Sequence, residues 1–174
     1  MNKKLLPVSI AALMMIGGIN TASAASILFT GAINANSCIL DVNNSGSTVG
    51  DVDMGNIAVS TLTANAGATS APVPFTISLK ECTGASSYSI EFAGNGSPAN
   101  DNYFIAPQSM GSGVFYEIKD SEGRNVKSKE RLETNISNDN QSADMNFTVN
   151  LVAVNQLVNQ GSFVMSNGIN VYYE

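Results

Sequence analysis

The chain has 174 residues, with 14 acidic side chains against eight basic ones and neither histidine nor tryptophan. Without histidine, Ser-His and Cys-His nucleophile pairs and most transition-metal sites are removed together. The scarcity of Lys and Arg also points away from nucleic acid and from anionic membrane surfaces, because both require clustered cations.

Residues 1–24, MNKKLLPVSIAALMMIGGINTASA, differ in character from the rest of the chain. Lys3 and Lys4 form a positive start, Leu5 to Gly18 an apolar run, and Ala22-Ser23-Ala24 a small-residue cleavage box, the three parts of a secretory signal. The apolar run is shorter than the roughly 20 residues of a membrane span, and no charged stop-transfer segment comes after it. The mature chain is therefore expected to start near residue 25 and not to insert into a membrane. Its 150 residues are enough for one domain with a proper core, and loss of the two lysines leaves a net charge of −8.

In the mature chain, alternation at period two recurs and no 3.6-residue periodicity appears. Ile27, Phe29, Gly31, Ile33 and Ala35 alternate with Leu28, Thr30, Ala32 and Asn34. This segment reads either as the first strand of the chain's own sheet or as a strand for another chain's sheet. Cys38 and Leu40 to Val42 form a short second run. Residues 47–59 look extended, with a bend or bulge at Gly50 or Gly55. TLTANAGATSAP is small, polar and punctuated by Gly and Pro, hence a loop.

PFTISLKEC is the clearest strand, with Phe75, Ile77 and Leu79 on one face and Thr76, Ser78 and Lys80 on the other. YSIEF obeys the same rule, and GNGSPANDN turns the chain. VFYEIKD is a strand with Glu117 and Lys119 facing out, and SEGRN is a hairpin turn. Residues 128–142 are the most polar part and hold one short strand or a helical turn. In MNFTVNLVAV, Met145, Phe147, Val149 and Leu151 alternate with Asn146, Thr148 and Asn150. From Gly161 the last strand places Phe163, Met165, Asn167, Ile169, Val171 and Tyr173 on one face. About eight strands separated by Gly, Asn and Pro loops predict an all-β, immunoglobulin-like antiparallel sandwich.

The two cysteines, Cys38 and Cys82, would be carried by the signal into an oxidising compartment. A pair with no leftover thiol reads as one disulfide, and two buried free thiols are the other reading. No Cys-x-x-Cys pair suggests a metal, and no cofactor is expected. Asp51 with Asp53 and Glu130 with Glu133 are the carboxylate pairs that could be imagined in catalysis, but they read as solvated charges. Asp51-x-Asp53 and SNDNQSAD (residues 137–144) carry oxygen ligands but lack the glycine and terminal glutamate of a calcium loop. Tyr88, Tyr103 and Tyr116 are the only candidates for a sugar platform and read as packing residues. No enzyme activity is expected.

Several features taken together resemble the pilins of the chaperone–usher pathway, specifically the type 1 fimbrial subunit family. They are Phe29-x-Gly31 followed by Ile33 and Ala35, then Cys38; the second cysteine closing PFTISLKEC; Gly161 fourteenth from the end; and the penultimate Tyr173. The resemblance spans the mature chain. It implies an incomplete immunoglobulin-like sandwich that lacks its seventh strand and is completed by donor-strand exchange. Residues 37–174 would be the pilin domain and residues 25–36 a donor extension, with Ile27, Phe29, Gly31, Ile33 and Ala35 entering a neighbour's groove.

On the same resemblance, Gly161, Phe163, Met165, Ile169, Val171, Tyr173 and Glu174 form the terminal strand that borders the groove and faces the chaperone, which would hold the Glu174 carboxylate. The implied partners are a periplasmic chaperone, an outer-membrane usher and neighbouring pilin subunits. The implied location is the cell-surface fimbrium, reached through the periplasm. Asn167 departs from the pattern, because an aliphatic residue is expected there, and suggests a shallower groove at that point. The competing expectation is a self-contained secreted β-sandwich that binds a receptor or glycan as a fimbrial adhesin does; 150 residues leave no room for a separate receptor-binding domain.

Overall fold

A computed structural model describes residues 37–84, 87–98, 100–136 and 141–173. The expected signal, the extension carrying Ile27, Phe29, Gly31, Ile33 and Ala35, and Glu174 lie outside the described residues. Ten strands are described: β1 (Ser37–Val42), β2 (Ala68–Thr69), β3 (Val73–Thr83), β4 (Ser87–Phe92), β5 (Phe104–Ile105), β6 (Val114–Asp120), β7 (Asn125–Val126), β8 (Arg131–Asn135), β9 (Ala143–Ala153) and β10 (Ile169–Tyr173). All pairings are antiparallel. The larger sheet runs β1-β3-β9-β6-β5, with β2 on β9 and β7 on β6; the smaller runs β10-β4-β8.

The core arises from the alternation. Phe75, Ile77 and Leu79 of β3 and Phe147, Val149 and Leu151 of β9 are buried, as are Tyr88, Ile90 and Phe92 of β4. Three phenylalanines join the sheets. Phe75 and Phe147, cross-strand partners in the larger sheet, stack with centroids 5.5 Å apart, and Phe92 of the smaller sheet meets the Phe147 ring edge-on at 5.2 Å. Aromatic pairs prefer these offset and edge-on arrangements, which put the positive ring edge on a negative face.

The long strands lie where alternation placed them, and Cys38 is bonded to Cys82. That bond ties β1, the edge of the larger sheet, to the end of β3. The SEGRN turn is built as its residues demand. Gly123 takes φ +77°, and Asp120 accepts hydrogen bonds from the backbone N–H groups of Glu122 and Arg124 at 2.9 Å each.

Four features differ from the sequence reading. Residues 47–58 form no ladder, and the chain goes on into a single helical turn, α1 (Val59–Leu62). The loop at 61–72 contains β2, and the turn region after β4 contains β5 and a 3-10 turn at Gln108–Met110. Glu117 is only 6% exposed. It accepts a hydrogen bond from Asn150 Nδ2 at 3.0 Å and forms an ion pair with Lys119 Nζ at 2.8 Å, so its charge is compensated rather than solvated. Finally, the last strand pairs only over Ile169–Tyr173; residues 161–167 join no ladder among the described residues.

The shortened ladder has a local cause. Met110 carbonyl accepts from the Asn159 N–H, and Gly111 (φ +109°) lets that stretch pass. A Cβ on Gly111 would lie 2.0 Å from the Leu157 carbonyl oxygen. The chain therefore enters the terminal segment from the β5–β6 connection on the larger sheet and reaches β4 only at Gly168, whose carbonyl accepts from the Ala93 N–H at 2.8 Å.

Candidate functional site

The two backbone stretches without ladder partners define the site. Between Val52 and Ile57, and again between Gln160 and Asn167, no backbone group bonds to a strand among the described residues. Both stretches nevertheless alternate in burial, the first interrupted by the Gly55–Asn56 turn. Val52, Met54 and Ile57 in one, and Phe163 and Met165 in the other, are half-buried and pack on the core cluster; so do Ile169, Val171 and Tyr173 of β10. Two apolar walls with unused backbone donors and acceptors are an incomplete sheet edge.

At one end the walls meet across a cavity of about 160 Å³, lined by Ile57, Val59 and Leu62 on one side and Gly161 and Phe163 on the other, with Met110 and Leu151 beneath. A cavity of this size accommodates an aliphatic side chain rather than a drug-sized ligand. Gly161 there adopts φ +146° and has open space where a Cβ would stand. The other end is closed by Tyr173, whose ring meets the buried Tyr88 ring edge-on at 5.4 Å and 84°.

Outside the groove, β10 is held to the smaller sheet by a polar strap. Glu91 of β4 accepts from Asn170 Nδ2 and from the Tyr172 hydroxyl, both at 3.1 Å. The Arg131 guanidinium of β8 lies 3.9 Å over the Tyr172 ring, a cation–π contact. One face of β10 is thus tied across three strands while its outer edge stays unpaired among the described residues.

Of the residues expected at the groove, Phe163, Met165, Ile169, Val171 and Tyr173 share one half-buried apolar face, and Gly161 lies at the cavity. Two contributions were not foreseen: the wall of Val52, Met54 and Ile57, whose alternation is broken by Gly55 and Asn56, and Leu62 in α1. The tyrosines considered as a sugar platform are packing residues. Tyr88 and Tyr116 are buried, and Tyr103 stacks on Phe115 at 6.1 Å. Asp53 accepts from the Gly55 N–H and Glu130 from the Lys127 N–H, so these carboxylates cap turns. No cluster of metal-ligating side chains occurs among the described residues, and none of their helices is long and apolar enough to cross a membrane.

Residues 27–174 match the family model described as fimbrial protein, and the chain belongs to that family. Solved structures share the fold. The P pilus rod subunit PapA superposes with a TM-score of 0.64 at 19% identity, covering 79% of this chain and 99% of that one. A subunit from a chaperone–usher pilus structure concerned with rod uncoiling gives 0.65 at 18% identity, covering 87% and 96%. The CupB6 tip adhesin of Pseudomonas aeruginosa gives 0.54 at 15% identity over 70% of this chain but only 37% of the adhesin. No curated protein sequence matches.

Proposed function

We propose that this chain is a structural subunit of a chaperone–usher fimbria whose groove is filled first by a strand of a periplasmic chaperone and then by residues 25–36 of the next subunit. The single observation that carries this is the pair of facing, ladder-free walls above an apolar floor. A fourth strand in the smaller sheet would satisfy the β10 edge and cover Phe163, Met165, Ile169 and Val171 together. Strand addition works in this way, with backbone bonds supplying affinity and alternate side chains supplying register.

Ile27, Phe29, Gly31, Ile33 and Ala35 have the matching period. Burying Phe29 and Ile33 contributes roughly 2 kcal/mol each. Gly31 supplies the backbone where a side chain would obstruct a close approach. Release at an outer-membrane usher and display on the cell surface belong to the same reading, as does the Glu174 carboxylate as the chaperone's anchor point. The chemistry is strand exchange between subunits, with no covalent bond made or broken and no cofactor.

The test uses the chain from residue 37 onward with and without a synthetic peptide of residues 25–36. The chain alone should unfold non-cooperatively or aggregate, and the peptide should restore a cooperative transition by binding only the folded state. A cooperative, stable fold without peptide or chaperone would refute the proposal.

A further inference from the structure

Asn167 sits on the apolar face of the terminal segment, at the boundary between ladder-free residues 160–167 and paired Gly168 to Tyr173. Its Oδ1 accepts from the Gly94 N–H just past the end of β4 at 2.7 Å, and its Nδ2 donates to the Tyr116 hydroxyl at 3.2 Å. Gly94 lies two residues past the end of β4, where the chain leaves the smaller sheet, whereas Tyr116 belongs to β6 of the larger one and is 5% exposed, its ring stacked on Phe104 at 5.2 Å. One amide therefore joins the backbone leaving β4 to a side chain of the larger sheet. Burial raises the Tyr116 pKa and the bond from Asn167 opposes that shift, so the phenol is neutral and can either accept from or donate to position 167.

From these contacts we infer that Asn167 is a register pin, a positioning residue that fixes where the terminal segment leaves β4 and crosses toward β6, and so sets the groove's wall for the incoming strand. The proposal rests on the groove reading above and deepens it. Among the described residues, 160–167 have no ladder on either side to set their register, and register is weakly specified wherever pairing is absent. A slip of one residue would turn Phe163 and Met165 away from the floor and bring Val164, now 87% exposed, into their place. Two directional bonds at Asn167 oppose this slip, because any shift leaves the Gly94 N–H and the Tyr116 hydroxyl without their partner. Gly94 is part of the device: a Cβ there would lie 2.6 Å from Asn167 Nδ2.

The pin and a merely apolar wall predict opposite orders of substitution. An apolar face would be improved by Asn167→Leu and damaged by Asn167→Asp. A pin is kept by Asn167→Asp, whose carboxylate accepts from both the Gly94 N–H and the Tyr116 O–H, and is lost in Asn167→Leu. The experiment measures, on the chaperone-bound subunit, the uptake rate of a fluorescent peptide of residues 25–36 and the hydrogen exchange of the Gly94 amide.

The expected result for Asn167→Leu is about tenfold slower uptake with at least tenfold faster exchange at Gly94, each equivalent to about 1.4 kcal/mol. Asn167→Asp should stay within about threefold of wild type on both readings. Gly94→Ala should reproduce the leucine variant by displacing the amide, and serves if that variant does not fold. Leucine equal to or faster than wild type, with aspartate slowest, would overturn the pin while leaving the groove intact. No uptake of peptide by wild type would overturn the groove reading and the pin together.

Discussion

Tyr173→Ser perturbs the closed end of the groove without touching its backbone. The Tyr173 ring meets the Tyr88 ring edge-on at 5.4 Å, and the two residues are cross-strand partners in the β10–β4 register. Edge-on aromatic pairs contribute about 0.5–1.5 kcal/mol beyond burial. A half-buried ring contributes roughly 1 kcal/mol more, half of the full-burial value. The combined loss of about 2 kcal/mol corresponds to roughly a thirtyfold change in an opening equilibrium.

Because β10 is held to its own chain's sheet through β4 alone among the described residues, that loss falls on opening of this strand rather than on global unfolding, with a partner strand on its outer edge as without one. Hydrogen exchange of the β10 amides in the chaperone-bound subunit should accelerate about thirtyfold, and the periplasmic level of the subunit should fall. Tyr173→Phe, which retains the ring, should leave both unchanged. Unaltered β10 protection in Tyr173→Ser would refute the argument that this ring pair holds the terminal strand.

Three further outcomes are expected. Replacing Cys38 and Cys82 together by Ser opens a connection with a sequence separation of 44, which chain entropy values at about 4 kcal/mol. The denaturant midpoint of the peptide-completed subunit should drop accordingly, and a loss under about 1 kcal/mol would contradict this. Ile57→Arg places a cation at the cavity and should abolish uptake of the 25–36 peptide while the far-ultraviolet spectrum stays that of a β protein; uptake at the wild-type rate would remove the cavity from the exchange route.

The third concerns acid. Lys80 Nζ donates to Asp41 Oδ2 at 2.6 Å, and this bond, with the backbone N–H of Gly46, holds the Asp41 carboxyl below its usual value. A lowered folded pKa means that the contribution is complete above about pH 4, the unfolded value, and is lost as pH falls through the lower folded one. The melting-temperature difference between wild type and Asp41→Asn should accordingly narrow as pH falls below about 4. A constant difference would refute the assignment.

Much of the fold was legible because its long strands have one face in a shared core. In β3 and β9 the alternation Phe75-Ile77-Leu79 and Phe147-Val149-Leu151 is uninterrupted, and both segments have partners on either side. The short strands β2, β5 and β7 were not legible, since two residues carry no period. Glu117 was misplaced for another reason. Its alternation correctly turned it from the core, yet its burial depends on Asn150 and Lys119, and no local pattern encodes a neighbour 33 residues away.

The candidate site divides along the same line. The terminal segment's apolar face, Phe163 to Tyr173, is a period-two pattern that any reader of the chain can find. The wall at Val52, Met54 and Ile57 was seen as extended but not as a wall, because its role arises only when Ile57 is brought to one cavity with residues 160–163. Asn167 is the sharpest case. Within the sequence it is a polar interruption that suggests a shallow groove; in three dimensions it hydrogen-bonds to the backbone just past β4 and to Tyr116 of the larger sheet.

Period-two alternation and a cysteine pair behind a signal-like start were sufficient by themselves to set the class of fold, the core faces of its long strands and the pairing of the thiols, since burial of one face is a local property of the chain. Tertiary structure alone decided that residues 161–167 leave the ladder with β4 and that two distant segments line one cavity. It also decided that a lone amide joins the backbone just past β4 to Tyr116 of β6 at the crossing. The physical reason is that unpaired edges and inter-sheet hydrogen bonds are relations between residues far apart in sequence, which come into existence only when the sheets pack.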